Sequence, residues 1–393
     1  MAQASNAKES RDRSRASVAT SGYRFNIANS TVAGSPGRDE SASPRRKREN
    51  MELGLTSFAE THPDPATGRP IPHGERLRNV VEEVVLAEHV GLDVYGLGEH
   101  HRADMAASAV AVTLGAAAAR TSRIRLSSAV IILSSADPVR TYQDFATLDL
   151  LSEGRAELLV GRGSFIESFP LFGYSLSDYD ALFAEKLELL LAIRDNERVT
   201  WDGRFRAPLQ DQAVYPRAQQ QPLPVWIGVG GTPASMVRAA KLALPVALAI
   251  IGGDPARFRP LVDLYRRSLR EAGHDPADFP LAVHGLGHIA DDTAEAVATI
   301  QPGFTETMNK IGRERGWPPL TPEQFKWMTG PDGSLVVGDP ETVAAKVLRW
   351  QEILGIERFM LHTSAGNIPH RATMRSIELL GTKVSQLVRG SRQ

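Results

Sequence analysis

Three ionisable side chains in a row, Glu99-His100-His101, follow Gly98 at the end of a short apolar run. An imidazole there suits general acid–base work, because its proton affinity lies near neutrality. The alternative is a polar loop whose histidine is satisfied by backbone. Metal binding fits less well. Adjacent residues on an extended chain point to opposite faces, and no His-Glu-x-x-His or equivalent completes a ligand set. A second candidate is Gly161-Arg162-Gly163-Ser164. A fork-shaped, permanently charged guanidinium between two glycines suits a phosphate clamp, and a surface ion pair is the alternative. A third is Gly228-Val229-Gly230-Gly231-Thr232-Pro233-Ala234-Ser235. Its glycines expose backbone N–H groups, a following helix N-terminus adds positive potential, and Thr232 or Ser235 supplies a hydroxyl. It is not a dinucleotide fingerprint, since Pro233 stands where Gly or Ala is required. Small residues at 127–129 let a flat ligand approach the backbone, or simply pack tightly.

These groups need a frame that brings strand ends together. Strands are expected over 51–58, 92–98, 124–132, 155–161, 224–229, 245–251, 280–289 and 357–363. Helices are expected over 74–91, 104–120, 138–151, 178–195, 233–243, 256–272, 291–312, 340–354 and 370–388. Gly91, Gly273 and Gly355 sit at expected helix ends, and Asp137-Pro138 and Asp339-Pro340 read as N-caps followed by Pro at the first helical position. Alternation of strand and helix implies parallel pairing and an α/β class, most simply a (β/α)8 TIM barrel; an open doubly wound sheet is the alternative. Barrel chemistry lies at the C-terminal strand ends, where all three motifs fall. Two stretches interrupt the rhythm, 198–224 and 313–337, and read as insertions at that face. The segment 165–174 is unusually apolar for a loop, and either lines a pocket or packs under the helices.

Composition narrows the function classes. The chain has 393 residues, 42% apolar and 23% charged, with net charge −1. That balance argues against a general nucleic-acid binder. No apolar run is long enough for a membrane helix. With no cysteine, thiolate metal sites, disulfides and cysteine nucleophiles are excluded, and a cytoplasmic location fits. Residues 1–50 carry ten Lys/Arg against five Asp/Glu, a local charge of +5 that leaves −6 for the rest. This Ser- and Arg-rich stretch is expected to be disordered, upstream of a natural start at Met51. The ordered domain is expected over 51–389.

Taken in order, Glu99-His100-His101, Ala136-Asp137-Pro138-Val139-Arg140, the 146–155 stretch ending Ser152-x-Gly154-Arg155, Gly161-Arg162-Gly163 and the 228–235 turn resemble the bacterial luciferase-like flavin-dependent oxidoreductases. The resemblance runs from about residue 51 to 388. It implies a TIM barrel binding FMN, or deazaflavin F420 in a related branch. Position by position, it implies that Arg162, Gly163, Gly230, Gly231, Thr232 and Ser235 meet the cofactor phosphate. Ala129-Val130 falls at a third-strand bulge behind the ring, often with a cis peptide, and Gly161 lies beside the ring, where luciferase itself has a cysteine. His100 matches the catalytic histidine, flanked by Glu99 and His101. The implied reaction is a monooxygenation of a small organic substrate by O2 and reduced FMN delivered by a separate reductase, in a water-excluding pocket. A homodimer is the family's common state. Rival readings are an F420-dependent hydride-transfer enzyme, a non-catalytic flavin-binding protein, and a metal-dependent hydrolase using His284 and His288.

Overall fold

The computed structural model describes residues 51–63 and 68–390; the expectation for residues 1–50 lies outside them. Eight parallel strands close into a barrel: β1 (Glu52–Ser57), β2 (Val94–Leu97), β3 (Arg125–Ser128), β4 (Ala156–Gly161), β5 (Val225–Val229), β6 (Val246–Ile250), β7 (Leu281–Ile289) and β8 (Arg358–His362). β8 pairs with both β7 and β1, which seals the ring. Each expected strand is present. The third is broken after Ser128, where the Ala129–Val130 peptide is cis, and resumes as Ile131–Ile132 against β4.

The helices are α1 (His73–His89), α2 (Val110–Ala118), α3 (Pro138–Leu151), α4 (Tyr179–Asp195), α5 (Pro233–Lys241), α6 (Arg259–Glu271), α7 (Thr293–Arg315), α8 (Pro322–Thr329), α9 (Pro340–Leu354) and α10 (His370–Leu379). Asp137 accepts from the Val139 and Arg140 amides, and Asp339 from Thr342, as the N-cap reading requires. The helix expected from 104 starts only at Val110. Residues 104–107 instead bond to the chain after β1 and to the β2 end: Thr61 N–H to Asp104, Ala106 N–H to Ala59, and His100 N–H to Ala107. The 291–312 helix runs on to Arg315 and stops at Gly316, whose φ of 71° admits the left-handed turn. The remaining insertion holds α8, opened by a Thr321/Gln324 capping box, and a short strand, Val336–Gly338, beside β7. Within 198–224, Arg198–Trp201 pairs with Leu209–Ala213 as a hairpin. No helix among the described residues is long and apolar enough to cross a membrane.

Alternate residues of each strand face the barrel interior. At the N-terminal end, buried Arg358 reaches Glu52 at 2.8 Å and Glu157 at 2.6 Å, while Arg125 reaches the same two carboxylates. Above this charged floor lies an apolar layer that includes Val94, Leu159, Trp226, Ala247, Ala282 and Met360. The C-terminal layer is lopsided: Gly161, Gly228 and Ala249 on one side, Thr56, His284 and His362 on the other. The main apolar core surrounds the barrel, between strands and helices.

Candidate active site

The small-residue side of the mouth forms a shallow seat. Val130 presents its methyls between β4 and β5. A Cβ on Gly161 would fall 2.8 Å from one of them, and a Cβ on Gly228 2.7 Å from the other. Neither position therefore accepts a side chain without moving Val130. Beyond this seat, β4 runs into Arg162 and β5 into the 230–235 turn. Arg162 donates to Thr232 Oγ1 at 3.2 Å and pairs with exposed Asp180 at 2.5 Å, its guanidinium over the Tyr179 ring. Thr232 is the N-cap residue of α5, yet its side chain caps no amide. The N-terminus of α5 and the Arg162 guanidinium thus share one corner, with Gly231 at φ 111° and Gly163 at φ 79° holding the tight turns. Ser235 is buried in that first turn.

The Glu99-His100-His101 motif divides its work. Glu99 is used twice: Oε1 meets His101 Nε2 at 2.7 Å, and Oε2 accepts the Ile132 N–H at 2.8 Å. Its own N–H donates to the Val130 carbonyl. Glu99 therefore ties the β2 end to the chain around the cis peptide. His100 points the other way, against Phe58 and Phe165 at ring distances of 4.6 and 5.3 Å. Its Nδ1 is buried without a hydrogen-bond partner among the described residues. Burial pushes its pKa down to about 4, so the ring is neutral at physiological pH.

The polar wall opposite the seat was not anticipated. Phe58, just past β1, is ringed by His100, His284 and His362. His362 Nε2 lies 2.8 Å from Glu60 Oε1, and its Nδ1 lies 3.2 Å from Thr56 Oγ1. The same hydroxyl lies 3.0 Å from His284 Nδ1. Ser364 donates to the other Glu60 oxygen. Burial works against the charge on Glu60, but His362 and the Ser364 hydroxyl outweigh it and hold its pKa down to about 2. His284 is pushed down to about 3, by burial and then by His362. A sequence signal existed: Thr56, Glu60, His362 and Ser364 all lie at or just beyond strand ends, on the first and last strands, which carried no recognisable motif. His284 and His288 share a strand, but no group of three or more potential metal ligands forms among the described residues.

The apolar segment is split between packing and contact with the histidine motif. Phe169 is fully buried and stacks on Tyr179. Phe165 and Phe172 instead face His100 and His101. Two arginines hold this segment down: Arg102 bonds Glu167 and Glu314, Arg315 donates to the Ser164 carbonyl, and both lie over Phe165. A cleft of about 600 Å³ opens beside them, lined by His101, Arg102, Glu167, Thr307, Lys310 and Asn367 among others. In an eight-strand ring β4 and β5 lie opposite β8 and β1, so the Arg162–Thr232 corner faces this cleft across the mouth.

Three comparisons bear on this arrangement. The sequence profile of the luciferase-like monooxygenases matches residues 51–357. A monooxygenase from Streptomyces bottropensis superposes with a TM-score of 0.74 at 22% identity, over 85% of this chain and 98% of that one. The oxygenating constituent of 3,6-diketocamphane monooxygenase from Pseudomonas putida, solved with FMN, superposes with a TM-score of 0.69 at 18% identity, over 86% and 98%. At these identities the likeness concerns the fold. An F420-dependent glucose-6-phosphate dehydrogenase from Amycolatopsis mediterranei is 33% identical over 163 residues, 39% of this chain and 48% of that protein.

Proposed function

The chain belongs to the luciferase-like monooxygenase family, and on that premise we propose that it is an FMN-dependent monooxygenase acting on a small organic substrate with O2, its flavin reduced by a separate enzyme. The observation that carries this reading is the continuity of the seat with the anion corner. The Val130 methyls lie low in the seat because Gly161 and Gly228 lack side chains, a flat ring would lie over them, and its phosphate tail would meet Arg162, Thr232 and the N-terminus of α5. Reduced flavin would supply the electrons that activate O2. The protein's part is to bind, orient and exclude water. Arg162 is half-buried and already bonded to Thr232, so little ordering remains to be done when an anion arrives. Asp180 must share this guanidinium with the phosphate, and because it is largely exposed it can turn to water instead. His100, neutral and lacking a partner at Nδ1, is fitted to hydrogen-bond a reacting group rather than to hold a proton through turnover. Glu99 is a positioning residue, and His101 reaches the cleft through it. Phe58, Phe165 and Phe172 keep the mouth apolar around these groups.

The F420 reading rests on the partial likeness to the Amycolatopsis enzyme. Titration of the protein with oxidised and reduced FMN and with F420, followed by oxygen uptake, separates the two. Tight binding of FMN with O2 consumption in the presence of a flavin reductase is expected. Preferential F420 binding with turnover under anaerobic conditions overturns the FMN reading.

A further inference from the structure

The polar wall contains a chain of exchangeable protons with a carboxylate at one end and a free imidazole nitrogen at the other. Thr56 carries a single hydroxyl proton, is fully buried, and lies between two imidazole nitrogens, His362 Nδ1 and His284 Nδ1. One proton cannot serve two bare nitrogens. If both nitrogens were protonated, the hydroxyl proton would have no acceptor among the described residues. All groups are satisfied only when one nitrogen carries hydrogen and the other does not. The Glu60 carboxylate fixes the choice at rest. It accepts from His362 Nε2–H, which leaves Nδ1 of the neutral ring bare to receive the Thr56 hydroxyl proton. Thr56 then accepts from His284 Nδ1–H. His284 Nε2 is left as a bare lone pair on the inward face of β7, with no hydrogen-bond partner among the described residues.

We propose that Thr56, His362 and Glu60 form a proton relay that makes His284 Nε2 a second acid–base group in the mouth, opposite His100. In the forward direction a substrate proton adds to His284 Nε2. The Nδ1 proton of His284 passes to the Thr56 oxygen, and the Thr56 proton passes to His362 Nδ1. One proton enters and none leaves. The added charge comes to rest on His362 as imidazolium beside the Glu60 carboxylate, and His284 returns to neutrality as the Nε2–H tautomer. The reverse sequence delivers a proton to the substrate. This arrangement resolves an apparent conflict: an isolated His284 is a poor proton holder in its buried site, but the relay does not ask it to hold one. Behind Glu60, a cavity of about 30 Å³, also lined by Arg76, Glu83 and His370, has room for a water that would connect the store to solvent. The charged and titratable groups facing His362 are Glu60 from the chain after β1, His100 from the β2 end and His284 from β7; His62 and Arg76 face Glu60 from its other sides, and Glu83 pairs with Arg76.

The proposal rests on the reading of the mouth as the reaction chamber, and its test separates the two. Nitrogen-15 NMR of histidine-labelled, cofactor-free protein reads the tautomers directly. His284 is expected as Nδ1–H at high pH and as Nε2–H once His362 is protonated. Thr56→Ser keeps this coupling, whereas Thr56→Val and Thr56→Ala abolish it. In turnover, Thr56→Val lowers kcat by about 100-fold, the range for lost acid–base catalysis, with the cofactor Kd and KM little changed, and Thr56→Ser restores most of it. A His284 tautomer that ignores the state of His362, or full turnover in both Thr56→Val and Thr56→Ala, overturns the relay. Failure of the wild-type protein to bind FMN or F420 overturns the proposed function instead, and leaves the tautomer coupling intact.

Discussion

At the scale of single residues, the proposed function divides cofactor holding from chemistry between two sides of the mouth. Arg162 meets Thr232 at the α5 corner, whereas His100 packs among aromatic rings. Arg162→Ala is therefore expected to raise the FMN Kd by about tenfold or more, as loss of one charge-assisted contact worth 1.5–3 kcal/mol implies. His100→Ala is expected to leave Kd within about twofold while lowering kcat by about 100-fold or more. Fluorescence titration and steady-state kinetics check both; equal effects of the two variants on Kd would contradict the division. The sequence displayed Arg162, Thr232 and His100 because each sits in a contiguous motif with glycines or other ionisable groups. It hid Glu60 and His362, which are isolated in the chain, and showed His284 only beside His288 as a metal candidate; all three gain meaning when β1, β7 and β8 become neighbours. The double use of Glu99 was hidden for the same reason: its second partner is an amide, that of Ile132, 33 residues away.

At the scale of elements, barrel strands were legible because parallel strands buried on both faces read as continuous apolar runs. Boundaries failed where tertiary partners overrode local preference. The Ala-rich 103–107 segment looks helical, but its backbone groups are claimed by Ala59, Thr61 and His100. The inserted α8 is held by a contact no periodicity reveals. Buried Lys346 of α9 donates to the carbonyls of Leu335, Met328 and Thr329, at and beyond the α8 C-terminus. Burial pushes its pKa down to about 8. Lys346→Met removes this donor from the Leu335 and Thr329 carbonyls, while the Met328 carbonyl keeps the Leu335 N–H, and is expected to destabilise the insertion by about 2–3 kcal/mol. Hydrogen exchange measured by mass spectrometry should show faster exchange across 316–335 with the barrel strands unchanged. Uniform acceleration, or none, would show that the lysine does not pin α8.

For the whole molecule, the buried histidines set the acid limit of stability. His100, His284 and His288 are held down to about 4, 3 and 4 against an ordinary 6.5, in each case chiefly by burial. A histidine with a depressed folded pKa takes up a proton more readily once unfolded. Its contribution is complete above pH 6.5 and is lost as pH falls toward the folded value. Three such groups imply a loss of roughly 4 kcal/mol per pH unit between about pH 6 and 5. Glu60, lowered from 4.5 to about 2, adds a further loss below about pH 4.5. Urea midpoints at pH 7.5 and 5.5 test this; equal midpoints would mean that these rings are protonated in the native state.

The floor of the barrel has a consequence for synthesis. Glu52 and Glu157 enter with the first and fourth strands, but Arg358, which neutralises both, arrives with the last. A nascent chain lacking the eighth strand holds two inward carboxylates against Arg125 alone, and leaving such charge uncompensated costs about 3–5 kcal/mol. The charged floor is therefore complete only when the eighth strand closes the ring, and a chain ending before residue 358 is expected to be insoluble rather than a smaller folded protein.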